Sequence, residues 1–227
     1  MFRPLNRAVH RTHACALTLS VPFFAVNGLD GFTKAALAAS PQLFWTYDLT
    51  KWLLLPAATL FAMRVWCGVR PADFGLQGPA PRWSPAQLSA LCVLFAVLAL
   101  SYFAFQWLAA HFVSNNPRFD LETVLPDGSA RLPAVLYLCA SAAVVEELFY
   151  RGVLLEAMAP PGAGLAPMVG YVVVSSALFG QSHFEGGAVE VWATGLFGVV
   201  AALFALRTRN LWPLIAGHFV IDFVALR

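Results

Sequence analysis

Residues 85–113 contain no Asp, Glu, Lys or Arg. That apolar run exceeds the roughly 20 residues a helix needs to cross a bilayer. Only a helix or a closed barrel satisfies every backbone polar group in lipid, and a run apolar on all sides fits the helix. Further apolar segments follow the same plan at 14–26, 43–63, 132–158, 165–183, 188–206 and 211–226. Of the 227 residues, 59% are hydrophobic and 11% charged, against about 25% charged in an ordinary soluble domain. A soluble globular enzyme would lack the polar residues to cover its surface. Disordered, coiled-coil and collagen-like chains are excluded by the same composition. The expectation is an all-α polytopic transmembrane helix bundle of about seven spans, built as a single membrane domain over residues 1–227.

The first segment follows Arg3, Arg7 and Arg11. A basic flank and a short apolar core also describe a signal peptide. No clear A-x-A site follows and another apolar segment comes soon after, so it reads as a retained span. Pro56 lies inside the second segment, where neighbours can satisfy the carbonyl it frees. With the N-terminus inside, Arg3, Arg7, Arg11, Arg64, Arg70, Arg82, Arg207 and Arg209 fall on the inner side. Lys34, Lys51, Arg118, Arg131 and Arg227 fall outside. The bias predicts a cytoplasmic N-terminus. The net charge of +2 is scattered, so no nucleic-acid footprint is visible. Cys15, Cys67, Cys92 and Cys139 form no CxxC pair and read as small hydrophobes, not as a disulfide framework or a zinc site.

A charge near the bilayer centre costs about 2.5–3.5 kcal/mol on insertion scales, yet Glu146, Glu147 and Arg151 share the fourth segment. Glu147 and Arg151, four apart, face each other on a helix and form an ion pair within one turn. Glu146 is rotated about 100° from Glu147 and is left unneutralised by that arginine. His183 closes the fifth segment. His218 and Asp222, again four apart, share a face of the seventh. If these helices converge, carboxylates and imidazoles enclose a polar cavity that can hold a water. A carboxylate base can activate that water, and an imidazole can assist it or stabilise an oxyanion. Amide hydrolysis suits these parts best. Taken singly, each residue has a plainer role in packing or hydrogen bonding, and Glu147–Arg151 is first a structural ion pair. Glu185 and Glu190 read as loop acids. Gly195, Gly198, Ala201, Ala202 and Ala205 permit close helix packing, within the chain or between copies.

Glu146-Glu147-x-x-x-Arg151, Phe179-x-x-x-His183 and His218-x-x-x-Asp222 together resemble the three ordered motifs of the CPBP (CAAX protease and bacteriocin-processing, or Abi) family of intramembrane endopeptidases. The resemblance covers roughly residues 131–227, the catalytic helical core; residues 1–130 carry no motif of that family. It implies Glu146 as the catalytic glutamate and His183 as its partner. It places His218 and Asp222 at the oxyanion site, and makes Glu147, Arg151 and Phe179 supporting residues. It further implies a protein or peptide substrate at the membrane. The prenyl-protein branch has Asn at the position of Asp222. An ionised Asp cannot donate a hydrogen bond, so Asp222 must be protonated, orient His218, or bind something cationic.

Three alternatives accompany this reading. His183 and His218 with Glu146, Glu147 or Asp222 would form a two-histidine, one-carboxylate zinc site, although a metal-free site is the expectation. A proton-coupled transporter would also use intramembrane Glu and His. A non-catalytic scaffold would keep only the fold. Counting from the break at 160–164, straight helices would place Glu146 and His183 roughly 10 Å apart in depth.

Overall fold

A computed structural model describes residues 7–37, 39–76 and 85–226. Arg3, Arg82 and Arg227 lie outside the described residues. So do the side chains at 7–13, 85–92, 94 and 95, including Arg7, Arg11 and Cys92. The described chain is all-helical. In order it forms α1 (Arg7–Gly28), α2 (Asp30–Leu37), α3 (Pro41–Leu49), α4 (Leu55–Ala62) and α5 (Pro85–Phe112). These are followed by α6 (Arg131–Glu146), α7 (Leu154–Met158), α8 (Leu165–Gln181), α9 (Ala188–Thr208) and α10 (Trp212–Ala225).

Each of the seven apolar segments is helical, but their lengths divide them. Among the described residues two stretches, Gly128–Met158 and Ala188–Thr208, are long and apolar enough to cross a membrane. A third would be Ala14–Gly28 with Asp30–Leu37, bent by 48°. Leu165–Gln181 and Trp212–Ala225 are apolar but shorter. At 1.5 Å per residue they fall below the roughly 30 Å hydrocarbon thickness.

Two long rods contain widened turns. Between α3 and α4 the backbone is π-helical over Thr50–Leu54, and the Leu55 N–H reaches the Thr50 carbonyl, five residues back. Pro56 follows at once and has no N–H to give its helix, so the widened turn accommodates the ring. Between α6 and α7 a longer π-helical stretch, Glu147–Val153, carries two motif residues, Glu147 and Arg151. Such insertions occur frequently at functional sites. The Ser175 hydroxyl of α8 donates to the Tyr150 carbonyl here at 2.9 Å.

Lipid tails are as apolar as leucine, so close packing holds these helices together rather than hydrophobic expulsion from water. Phe23 of α1 stacks on Phe149, centroids 4.1 Å apart, and both side chains are fully buried. Small residues join α8 and α9. A Cβ at Gly180 would stand 2.7 Å from the Val191 carbonyl oxygen and 3.0 Å from Gly195 Cα. The small-residue face of α9 therefore makes an intramolecular contact: Gly198 lies against Ser176, and Ala201, Ala202 and Ala205 are buried.

The cysteines correct the sequence reading. Cys15 of α1 is joined to Cys67 in a disulfide, 52 residues apart in sequence, while Cys139 is free and buried. Spacing gave no sign of the bond. It arises because α1 packs against the π-helical end of the second segment, Met63–Cys67.

Candidate active site

Glu146 is the last α-helical residue of α6, and Glu147 opens the π-helical turn. Their rotation sends them to opposite nitrogens of the same imidazole. Glu147 Oε1 lies 2.9 Å from His218 Nδ1. Glu146 Oε2 lies 3.5 Å from His218 Nε2. Glu147 Oε1 also accepts from Arg151 Nη1 at 3.2 Å, so the expected ion pair within one turn is present and extends to a third residue. Glu147 and Arg151 are both fully buried. Arg151 keeps Nε and Nη2 without hydrogen-bond partners, but its guanidinium sits 3.9 Å from the centre of the Phe179 ring. A desolvated cation gains from that π face. Phe179 also presents its edge to His218, with centroids 5.8 Å apart. Phe179 thus touches both the arginine and the imidazole.

His218 and Asp222 share a face of α10, as their spacing requires, with Nε2 3.5 Å from Asp222 Oδ2. His218 thus stands among Glu146, Glu147 and Asp222. Of the three roles open to Asp222, the arrangement favours orienting His218. His183 stands two residues past the end of α8. Its Nδ1 lies 2.8 Å from the Phe179 carbonyl oxygen, which can only accept. The proton is therefore on Nδ1, and Nε2 carries the lone pair. The Ser182 hydroxyl, 3.2 Å from Nδ1, donates to the same carbonyl.

Glu146, His183, His218 and Asp222 line one cavity of about 230 Å³. The depth difference expected from counting does not keep Glu146 and His183 out of a common space. The zinc alternative requires ligands converging on one point. Among the described residues no three His, Cys, Asp or Glu side chains are so disposed. His218 also turns both nitrogens toward carboxylates. The side chains as placed do not converge as a ligand set for the ion.

Half of the cavity wall was not foreseen. Asn27, Asp30, Asp48, Lys51 and Tyr102 come from the first half of the chain. Asp30 is 1% exposed and is the hub of a buried network. It accepts from Tyr47 at 2.7 Å, Lys51 at 2.6 Å and Lys34 at 2.7 Å. Lys34 also reaches Glu185 at 2.9 Å. Asn27 Nδ2 donates to the Tyr150 hydroxyl at 2.9 Å, tying α1 to the motif-bearing helix. Glu190 is no loop acid. It lies in the first turn of α9, where the helix dipole favours an anion, and accepts from Tyr102 and Gln106 at 2.6 and 3.3 Å. Glu185 stands in the short turn before α9 and faces Lys34. Burial raises its carboxyl pKa, but the Lys34 ammonium outweighs that, so the net shift is below the usual carboxylate range. The signal available in the sequence was the ionisable residues within or beside apolar segments, Asp30, Asp48 and Lys51, which mark functional or pairing sites by default.

Residues 128–224 match the family model described as Type II CAAX prenyl endopeptidase Rce1-like. The match takes in all seven motif residues from Glu146 to Asp222 and leaves residues 1–127 outside it. It agrees with the resemblance carried by the three motifs. No curated protein and no solved structure matches this chain.

Proposed function

We propose that this chain is an intramembrane endopeptidase that hydrolyses a peptide bond in a membrane-associated protein or peptide, using a water activated by Glu146. The observation that carries the reading is the convergence of Glu146, His183, His218 and Asp222 on one buried cavity, within the stretch similar to a protease family. Glu146 takes a proton from the water as its oxygen attacks the scissile carbonyl. His183, with Nδ1–H bound to the Phe179 carbonyl, offers Nε2 to the water's second hydrogen and aims the nucleophile. The carbonyl oxygen becomes an oxyanion. His218 donates to it from Nε2 while Nδ1–H stays on Glu147. In that state the imidazole carries both protons, and the carboxylates of Glu146, Glu147 and Asp222 surround its charge. Glu146 then passes its proton to the leaving nitrogen, the C–N bond breaks, and the base is regenerated. Arg151 and Phe179 fix the positions of Glu147 and His218.

In this reading the seven apolar segments are seven spans, the first one retained, with the N-terminus cytoplasmic and the protein in the inner membrane. No metal is required. The test is a comparison of protein termini by mass spectrometry in cells expressing the wild type or Glu146→Ala at equal levels. The expected result is at least one terminus present only with the wild type and reproduced with purified components. If the two sets of termini are identical and purified wild type cuts no such protein, the enzyme reading fails and proton-coupled flux in liposomes is the next measurement.

A further inference from the structure

Asn27 stands apart from the rest of the cavity lining. It is 1% exposed in α1, outside the family match, yet it lines the same space as Glu146 and His183. The other lining side chains that hydrogen-bond are acids, lysines, imidazoles, Tyr102 and Ser182. Tyr102 donates to Glu190, and Ser182 donates to the Phe179 carbonyl. Asn27 is the amide among them. A carboxamide has two N–H donors and an oxygen that accepts. Among the described residues, the hydrogen bond that Asn27 makes with its side chain runs from Nδ2 to the Tyr150 hydroxyl, at 2.9 Å. One N–H and Oδ1 are left over. The sealed, unpartnered side-chain atoms of the interior include Glu147 Oε2 and Tyr171 Oη but not Asn27 Oδ1, which therefore keeps surface toward the cavity.

The bond to Tyr150 fixes where that free edge stands. Tyr150 lies four residues after Glu146. Its ring packs edge-to-face with Phe179, centroids 5.3 Å apart, and the Phe179 carbonyl holds His183. A peptide that enters this enclosure leaves water behind, and a main-chain N–H or C=O without a partner there loses its hydration for nothing in return. An extended residue turns its own N–H and C=O to one side, as the paired residues of antiparallel strands do. A carboxamide edge, with one acceptor and one donor, matches that pair. We infer that Asn27 is a substrate-binding residue that pairs with the main chain of one extended substrate residue near the scissile bond. The guest is called a substrate on the strength of the function proposed above; the open amide edge stands without it. Asn27 acts by positioning the chain and takes no part in the proton transfers. Because it reads main chain, it imposes no side-chain preference.

The test is binding to the full chain in nanodiscs, carrying Glu146→Gln so that nothing is cut. The probe is acetyl-leucyl-leucine methylamide, compared with the analogues in which one main-chain N–H at a time is replaced by O. One of these esters should bind about two- to tenfold more weakly than the amide, the span of a single hydrogen bond. Adding Asn27→Ala should weaken the amide by a similar factor and leave that ester no worse than the amide. Tyr150→Phe removes the anchor but not the edge, so it should keep the preference for the amide. Should Asn27→Ala fail to fold, Asn27→Leu, close to asparagine in volume, takes its place. A preference for the amide that survives the loss of Asn27 leaves this residue a helix tie and overturns the inference. So does a probe that does not bind, or one that binds with no ester penalty. Neither result touches the protease reading, which stands on the comparison of termini with Glu146→Ala. Absence of Glu146-dependent termini beside an Asn27-dependent preference would sink the protease reading and keep Asn27 as a peptide grip.

Discussion

The two halves of this chain build one cavity by different means. The second half brings groups that are neighbours along a helix: Glu147 with Arg151, His218 with Asp222, and Phe179 with His183. The first half brings groups that meet only across helices. Asp30 of α2 finds Lys51 from the π-helical turn after α3, and Asn27 of α1 finds Tyr150 in the other half. Local spacing positions the reacting groups to within a rotamer. Long-range pairing positions a wall. The first arrangement is what a motif records, and the family match accordingly covers residues 128–224 alone. The second leaves no fixed spacing to record.

If that division of labour is right, the largest loss of activity comes from the second half. Glu146→Gln keeps the shape and the 3.5 Å contact to His218 but removes the base. General-base catalysis contributes about 10²–10⁴-fold, so the cleavage rate should fall by at least about a hundredfold, with thermal stability near that of the wild type. A rate within severalfold of wild type would break the assignment of Glu146.

Stability should separate the halves next. Arg151→Met leaves Glu147 buried without its cation, and breaking a buried pair by removing one partner costs about 3–5 kcal/mol. Lys51→Met should cost less, because Asp30 keeps Lys34 and Tyr47. Unfolding of both variants in detergent checks the order. Activity sharpens it: Arg151→Met should abolish cleavage by displacing Glu147 and His218, whereas correctly folded Lys51→Met should retain most of it. Equal losses would mean that the first-half network belongs to the chemistry.

The seam between the halves gives a smaller effect. Asn27→Ala removes the hydrogen bond to Tyr150, worth about 0.5–1.5 kcal/mol net. Combined with Tyr150→Phe in a double-mutant cycle, the two changes should be clearly non-additive. Additivity would show that the Asn27–Tyr150 bond does not tie α1 to the motif-bearing helix and would leave that tie to the aromatic contacts of Phe23 and Phe24.

Much of this division could be read from the residues in order. The apolar segments became helices because nothing in them interrupts the 3.6-residue repeat for long, and the three motifs met because spacings of four bring side chains to one face. The sharing of His218 by Glu146 and Glu147 was not visible, since it depends on how α10 crosses α6. The π-helical turn at Glu147–Val153 was invisible for a related reason: its stretch of sequence contains no proline to announce it. Lys34 and Lys51 were seen as charges but not as partners of Asp30, and Cys15 and Cys67 as small hydrophobes. For Lys51 and the two cysteines the missing information was contact between segments more than ten residues apart, which periodicity does not encode; Asp30–Lys34, four apart on α2, was open to the same spacing argument as the motifs.

The smallest predicted effect lies where the halves meet outside the apolar helices. Glu185 faces Lys34 at 2.9 Å with 14% of its side chain exposed. Burial pushes its pKa up, but the ammonium more than offsets this, and the carboxyl titrates below its ordinary value of 4.5. A group whose folded pKa lies below its unfolded value adds stability that is fully present above the unfolded pKa. That stability is lost as pH falls through the folded one. Glu185→Gln should therefore lower the unfolding temperature at pH 7, and the gap between variant and wild type should narrow as pH drops below about 4. Other carboxylates titrate over the same range, but they do so in both proteins, so the difference isolates this pair. The double variant Glu185→Gln with Lys34→Met tests the other side, although Lys34→Met also takes a cation from Asp30. A gap independent of pH would assign Glu185 to the turn before α9 as a packing residue, and would leave the ties between the halves to contacts such as Asn27–Tyr150, Tyr102–Glu190 and the aromatic stack.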